Sequence, residues 1–220
     1  MWSKEVINMI GVGILETLKM TLLSTFFGYV VGLPLGVVLS VTGKTGISPN
    51  AAVYKVLDVI SNILRSIPFL ILLILLIPFT RFVVGQSYGS TATVIPLTIA
   101  AAPFIGRMVE SSLNEVDKGV IEAARAMGVS TFRIITKVLL PESRVSLLVG
   151  VTIAIGTILG YSAMAGTIGG GGLGDIAIRY GYYRYQSDIM IVTVVLLVLL
   201  VQFFQTLGMF IAKKLDRRIR

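Results

Sequence analysis

Cysteine and histidine are both absent from the 220 residues. Without cysteine there is no disulfide framework and no thiolate metal site, and without histidine the commonest metal ligand and general base is gone. Zinc chemistry and Ser-His-Asp chemistry are therefore set aside. Charge is scarce as well. Asp, Glu, Lys and Arg make up 14% of the chain against 55% apolar residues, where a soluble domain carries about a quarter charged. With a mean hydropathy of +0.90 this composition identifies an integral membrane protein.

A phosphate-binding loop is also missing. GKT at Gly43 to Thr45 has the ending of one, but position 38, which would have to be glycine, is Val38. The glycine cluster at 169–174 lacks the Lys-Ser/Thr that should follow, so no ATP site is expected in this chain. The apolar runs hold no acidic residue near their centres, which argues against an ion-coupled secondary transporter. The net charge of +8 does not mark a nucleic-acid binder, because Lys and Arg gather at the ends of apolar runs rather than along one soluble face.

What is present is a series of membrane-length segments. Residues 1–11 carry Lys4 and Glu5 and show neither a compact signal-peptide core nor a small-residue cleavage site, so they are expected to be retained. Span one is expected at Met20 to Gly43, which is free of charge, with Pro34 inside it. Its Gly28, Gly32 and Gly36 recur every four residues, which puts three missing side chains on one helix face and lets another helix approach closely. Ala51 to Leu64 is amphipathic, with Val53, Val56, Leu57, Ile60 and Leu64 on one stripe and Lys55, Asp58, Asn62 and Arg65 on the other.

Span two is read from Leu64 to Thr80, a loop on the opposite side from Arg81 to Thr93, and span three from Val94 to Leu113 with Pro96 and Pro103. Arg107 and Glu110 share a face near its exit. Span four, Ser146 to Ala165, offers Gly150, Ala154, Gly156 and Gly160 as small contact positions, and span five is Ile189 to Ala212. Gly169 to Gly172 with Gly174 cannot hold a regular helix, so this stretch is expected as irregular backbone under cover of protein or a water-filled cavity. The tyrosines 180, 182, 183 and 185 with Arg179 and Arg184 suit an outer interface meeting headgroups or a docking protein.

Lys and Arg counts orient the chain. Lys44, Lys55, Arg107, Lys118, Arg125, Arg133, Lys137, Arg144, Lys213, Lys214, Arg217, Arg218 and Arg220 fall on one side, thirteen in all. Lys4, Lys19, Arg81, Arg179 and Arg184 fall on the other, five in all, with Arg65 left out as ambiguous. The N-terminus is thus expected outside and the C-terminus in the cytoplasm.

The longest charged passage is Asp117 to Glu142, DKGVIEAARAMGVSTFRIITKVLLPE. Asp117 reads as an N-cap, Val120 to Met127 as a short helix, Gly128 as its stop, and Ser130 as the cap of a second helix running to Leu140 before Pro141. Glu122, Arg125 and Arg133 are expected in water while Val120, Ala123, Ala124 and Met127 pack.

The spacing Glu122-Ala123-Ala124, Gly128, Val138, Leu140-Pro141 resembles the EAA-x3-G-x9-I-x-LP motif of bacterial ABC importer permeases, departing from it only in Val138 for Ile. The resemblance implies that this passage is a cytoplasmic coupling-helix pair that docks into an ATP-hydrolysing subunit. It places the docking role on Glu122, Ala123, Ala124, Arg125, Met127, Gly128 and Pro141. RSIPFLILL at Arg65 to Leu73, IPFTR at Ile77 to Arg81, AAPFIGRMVE at Ala101 to Glu110, KVLLPE at Lys137 to Glu142 and GYSAMAGTIGGGGLGDIA at Gly160 to Ala177 are similar to the permeases of methionine ABC importers, from Glu16 onward.

That similarity implies an all-α integral membrane protein: one permease domain over 1–220, with a core of about 16–212, five transmembrane helices and a coupling segment at 117–142. It implies a bacterial inner membrane and a second copy of the chain. Its further partners would be two ATPase subunits that use ATP and magnesium while this chain binds neither, and an external binding protein that delivers methionine. A permease for another amino acid or an osmolyte is the alternative within the class. Arg65, which either snorkels to headgroups or lines an entrance, joins Tyr161, Ser162, Met164, Tyr182 and Arg184 as candidates for the pathway or an outer docking surface.

Overall fold

The computed structural model describes residues 3–216. Arg217, Arg218 and Arg220 of the charge count lie outside the described residues. Among the described residues eleven α-helices follow one another: α1 (Lys4–Thr42), α2 (Ala51–Ser66), α3 (Phe69–Leu75), α4 (Ile77–Val84), α5 (Gly89–Asn114), α6 (Lys118–Ala126), α7 (Thr131–Ile134), α8 (Leu140–Glu142), α9 (Arg144–Ala165), α10 (Gly172–Ile176) and α11 (Ser187–Leu215). Four of them, α1, α5, α9 extended through Ile168, and α11, are long and apolar enough to cross a bilayer. The bent pair α2 and α3 makes a fifth span when taken together.

α1 is one helix of 39 residues, about 58 Å long and so almost twice the thickness of a hydrocarbon core. It begins well before the uncharged run at Met20, because Ser3 caps it by accepting from the Val6 N–H at 3.4 Å. Pro34 sits inside it, on its exposed side. α1 and α5 run parallel: Lys19, well inside α1, donates to Thr91 at the start of α5 at 2.7 Å, and Ser40 donates to Asn114 at 2.7 Å at the last ends of both.

Between those ties the two backbones nearly touch. A Cβ on Gly32 would stand 2.8 Å from the Ala102 carbonyl oxygen and 2.7 Å from Ile105 Cγ2; on Gly28 it would be 2.8 Å from Ile105 Cδ1. On Gly36 it would collide with the Gly106 carbonyl. The core is built on this pair and on α9, with Met20, Leu97, Ile105, Val109, Leu113 and Ile158 all nearly inaccessible.

Span two is not the continuous helix expected from Leu64 to Thr80. Pro68 pushes Ile67 into extended backbone (φ −79°, ψ 124°), which ends α2 and turns the chain by 100° into α3. A second break at Leu76 precedes α4, where Pro78 occupies the first turn. The loop expected at Arg81 to Thr93 shrinks to residues 85–88, since α4 runs to Val84 and α5 starts at Gly89. Gly85 and Gly89, at φ +82° each, supply the left-handed corners.

The glycine cluster also departs from expectation, because α10 begins at Gly172 as a short regular helix. Two of its first N–H groups are satisfied from α1: Gly172 donates to Glu16 Oε2 at 2.8 Å and Leu173 to Thr17 Oγ1 at 2.9 Å. Glycine is needed at Gly166 and Gly174 because a Cβ on either would enter the opposing backbone, of Asp175 and Ala163 respectively.

α11 packs along α9 through Gly208, whose Cβ would strike the Thr152 side chain. That contact was not foreseen. Gly156 faces Gln205 Nε2, to which a Cβ would stand 3.5 Å, whereas Gly160 is exposed with no atom within 4 Å of an added Cβ. The contrast yields a test in the detergent-solubilised chain. Gly32→Leu overpacks a backbone contact and should destabilise the fold by about 2 kcal/mol or more, while Gly160→Leu should stay within about 0.5 kcal/mol. Thermal unfolding of the two variants side by side measures the difference, and equal melting would contradict the packing described.

Candidate functional site

The coupling segment leaves α5 through Glu115 and Val116. Asp117 then caps α6, its Oδ1 accepting from the Gly119 N–H at 2.6 Å and placing a carboxylate on the positive end of the helix. At the other end, Gly128 donates to the Arg125 carbonyl at 2.9 Å and Val129 to the Ala124 carbonyl at 3.1 Å. These two bonds form a Schellman closure, and they require the left-handed φ of +73° that Gly128 adopts. α6 is therefore locked at both ends.

Ser130 is extended (φ −65°, ψ 150°) and starts α7, though its side chain makes no capping bond. The regular second helix expected up to Leu140 is interrupted. After Ile134 the chain widens into a π-turn over Ile135–Leu139, with the Leu140 N–H reaching back to the Ile135 carbonyl. Pro141, which has no N–H and crowds the preceding turn, follows at once and accounts for the widening.

Burial divides the segment differently from the expectation. Ala124, Ile134 and Leu139 are 5%, 1% and 2% exposed, and Leu139 joins Leu113 and Val116 in the core, with Ile121, Ile135 and Leu140 packed against it. Val120, Ala123 and Met127 are left open by the described residues: Val120 is 45% and Met127 76% exposed, and Ala123 is also open. Phe132, which the sequence reading passed over, is 74% exposed. Four apolar side chains thus stand in solvent around the Schellman turn. Their exposure leaves apolar surface on this helix pair. Glu122 and Arg125 are exposed and line a cleft of about 260 Å³ with Ser40, Thr45, Lys118 and Asn114, and Pro141 is exposed at the far end of the elbow.

The remaining sequence candidates fall on three other elements. Arg65 is exposed in the last turn of α2. In the last turns of α9, Tyr161 stacks on Phe69 of α3 (centroids 4.5 Å apart, 4° between planes), Ser162 is buried and donates to the Leu159 carbonyl at 2.7 Å, and Met164 is 52% exposed. In the tyrosine-rich turn beyond α10, Tyr182 is 62% exposed and packs edge-on to Tyr183, while the Arg184 guanidinium lies 4.5 Å from the centre of the Tyr180 ring. Burial pushes the nearby Asp175 carboxyl above its ordinary range, opposed by Arg179, which pairs with it at 2.9 Å.

The tyrosine-rich turn and the elbow lie at opposite ends of the molecule. Glu16 and Thr17 tie α10 to the first half of α1, and Gly89 donates to the Gly169 carbonyl at 2.9 Å, whereas the elbow grows from the last end of α5. A bundle of membrane-length helices carrying an elbow at one end is the architecture of an integral membrane protein.

The comparisons agree. The sequence pattern of the family described as "Binding-protein-dependent transport system inner membrane component" matches residues 32–220, and the chain belongs to that family. It is 48% identical over 203 residues to the probable D-methionine transport system permease protein MetI of Vibrio cholerae, covering 92% of this chain and 90% of that one. With the D-methionine transport system permease protein MetI of Escherichia coli the identity is 54% over 154 residues, 70% of this chain and 71% of the other. Among solved structures, an inward-facing conformation of the MetNI methionine ABC transporter aligns at 49% identity with a TM-score of 0.96, covering 98% of this chain and 100% of that chain. An amino acid ABC transporter with histidines, at 22% identity and a TM-score of 0.78, shares the fold.

The closure at Gly128 can be tested by itself. Gly128→Val puts a β-branched side chain at φ +73° at a cost of about 1–2 kcal/mol, whereas Gly128→Asn tolerates that region. Hydrogen exchange at residues 126–129 should quicken in the valine variant and change little in the asparagine variant. Equal protection in both would contradict the closure.

Proposed function

We propose that this chain is the membrane-spanning subunit of an ATP-driven importer of methionine. The observation that carries the reading is the near-complete structural match to the MetNI methionine transporter at 49% identity, with relatives named for D-methionine transport covering most of the chain. In this reading two copies of the chain enclose the pathway.

Two separate ATPase subunits bind ATP and magnesium, and this chain binds neither. Each ATPase receives one elbow: Met127, Phe132 and Val120 enter its surface, Ala123 lets the backbones approach, and Glu122 and Arg125 set register by charge. Because α6 is closed at both ends by hydrogen bonds, it transmits displacement as a rigid body. When ATP draws the two ATPase subunits together, the elbows follow and the bundle opens to the other side.

The elbow and C-terminus face the cytoplasm and the N-terminus faces outward, as the Lys and Arg distribution favours. The exposed Tyr182, Tyr183 and Tyr185 with Arg184 then form the outer surface on which a binding protein delivers methionine. Tyr161, Ser162, Met164 and Arg65 are the pathway candidates.

The test is uptake of radiolabelled D- and L-methionine by vesicles holding the chain, its ATPase and its binding protein. Glu122→Lys, an exposed position with no packing role, should lower ATP-driven uptake at least about tenfold by opposing charge at the docking surface while membrane insertion is retained. Unaltered uptake by the variant would remove the elbow from the mechanism, and uptake of neither methionine form by the unmodified complex would remove the substrate.

A further inference from the structure

α2 is attached to the bundle by its polar side. Val56, Ile60 and Ile63 of its apolar face are 59%, 49% and 59% exposed, while Ser61 is buried. On the inward side, Arg107 of α5 pairs through Nη2 with Asp58 Oδ1, and the same nitrogen donates to Asn62 Oδ1 at 3.1 Å. Through Nη1 it pairs with Glu110 Oε2 at 2.7 Å, and Tyr54 of α2 donates to Glu110 Oε1 at 3.2 Å. One guanidinium and one carboxylate on α5 thereby engage three side chains on α2.

The Arg107, Asp58 and Glu110 side chains are 21%, 28% and 12% exposed, so the pairing is partly shielded from water and from screening by salt. Apolar helix faces slide past one another at little cost, whereas a guanidinium fork bonded to carboxylates fixes position and angle. Removing the Arg107 charge would leave two partly shielded carboxylates, Asp58 and Glu110, without this counter-charge.

The position of the cluster along the chain gives it a mechanical consequence. From Arg107, α5 continues without a break to Asn114, about 10 Å further, and the chain reaches the α6 cap at Asp117 within three more residues. At its other end α2 turns 100° into α3, where Phe69 stacks on Tyr161 of α9.

We propose that the Arg107 cluster is the link that makes α2 travel with α5 whenever a partner displaces the elbow. This rests on the permease reading above. Arg107, Asp58, Asn62, Glu110 and Tyr54 act as positioning residues: they hold one another and need not touch substrate. None of them is part of the coupling motif.

Two measurements on the reconstituted complex test the link. Asp58→Asn keeps the side-chain size and leaves Arg107 paired with Glu110. It should lower methionine taken up per ATP hydrolysed about tenfold while binding-protein-stimulated ATPase activity persists, and Asp58→Glu should restore most of the ratio. A normal ratio in Asp58→Asn overturns the link, whereas failure of the unmodified complex to import methionine would fault the permease reading instead.

The second measurement does not depend on uptake or on the Asn variant. The chain has no native cysteine, so spin labels at Val56→Cys and Ser111→Cys, both exposed, report the distance between α2 and α5. In the otherwise unmodified complex that distance should hold within about 2 Å between nucleotide-free and nucleotide-trapped states, and a change of about 5 Å, one helical turn, overturns the proposal.

Discussion

Gly28, Gly32 and Gly36 bring α1 so close to α5 that a methyl group at the third of them would collide with the Gly106 carbonyl. In a bilayer no hydrophobic force gathers helices, because lipid tails are as apolar as leucine, so close packing and internal hydrogen bonds must do it. The glycine face supplies the packing, and Lys19–Thr91 and Ser40–Asn114 pin the register near the two ends of α5. Once the pair is fixed and parallel, its first ends together define one side of the molecule and its last ends the other.

Each side then uses that frame differently. At the first end, Glu16 and Thr17 of α1 satisfy the opening N–H groups of α10, so irregular glycine-rich backbone is held without exposing unpaired polar groups. At the last end, α5 runs into an elbow whose hydrogen bonds are closed at Asp117 and Gly128 but whose apolar side chains are left in solvent. In our reading this surface, closed in its backbone and open in its side chains, receives a partner. Family membership and the resemblance to a methionine transporter give that partner its identity in our reading.

Several of these features were legible in the chain and others were not, for physical reasons. The four-residue glycine spacing, the EAA motif and the caps at Asp117 and Gly128 are local patterns, and local patterns survive in a linear sequence. Pro68 was equally visible, yet the apolar run from Leu64 to Thr80 reads as one span because composition carries no record of a 100° bend. The amphipathic stripes of α2 were plain from periodicity, but the period alone does not say which stripe faces the bundle. Arg107 settles it, from 49 residues away in sequence. The exposure of Met127 and Phe132 was hidden for the same reason: whether an apolar residue packs depends on what lies opposite, and among the described residues little does.

The account depends on the elbow meeting an ATP-driven partner, and hence on the elbow lying on the side where ATP is found. The direct measurement is labelling of Arg125→Cys, the sole thiol in the variant chain, with a membrane-impermeant maleimide in intact cells and in inverted membrane vesicles. The account predicts modification in the inverted vesicles and protection in intact cells. Modification in intact cells would place the elbow outside and contradict it.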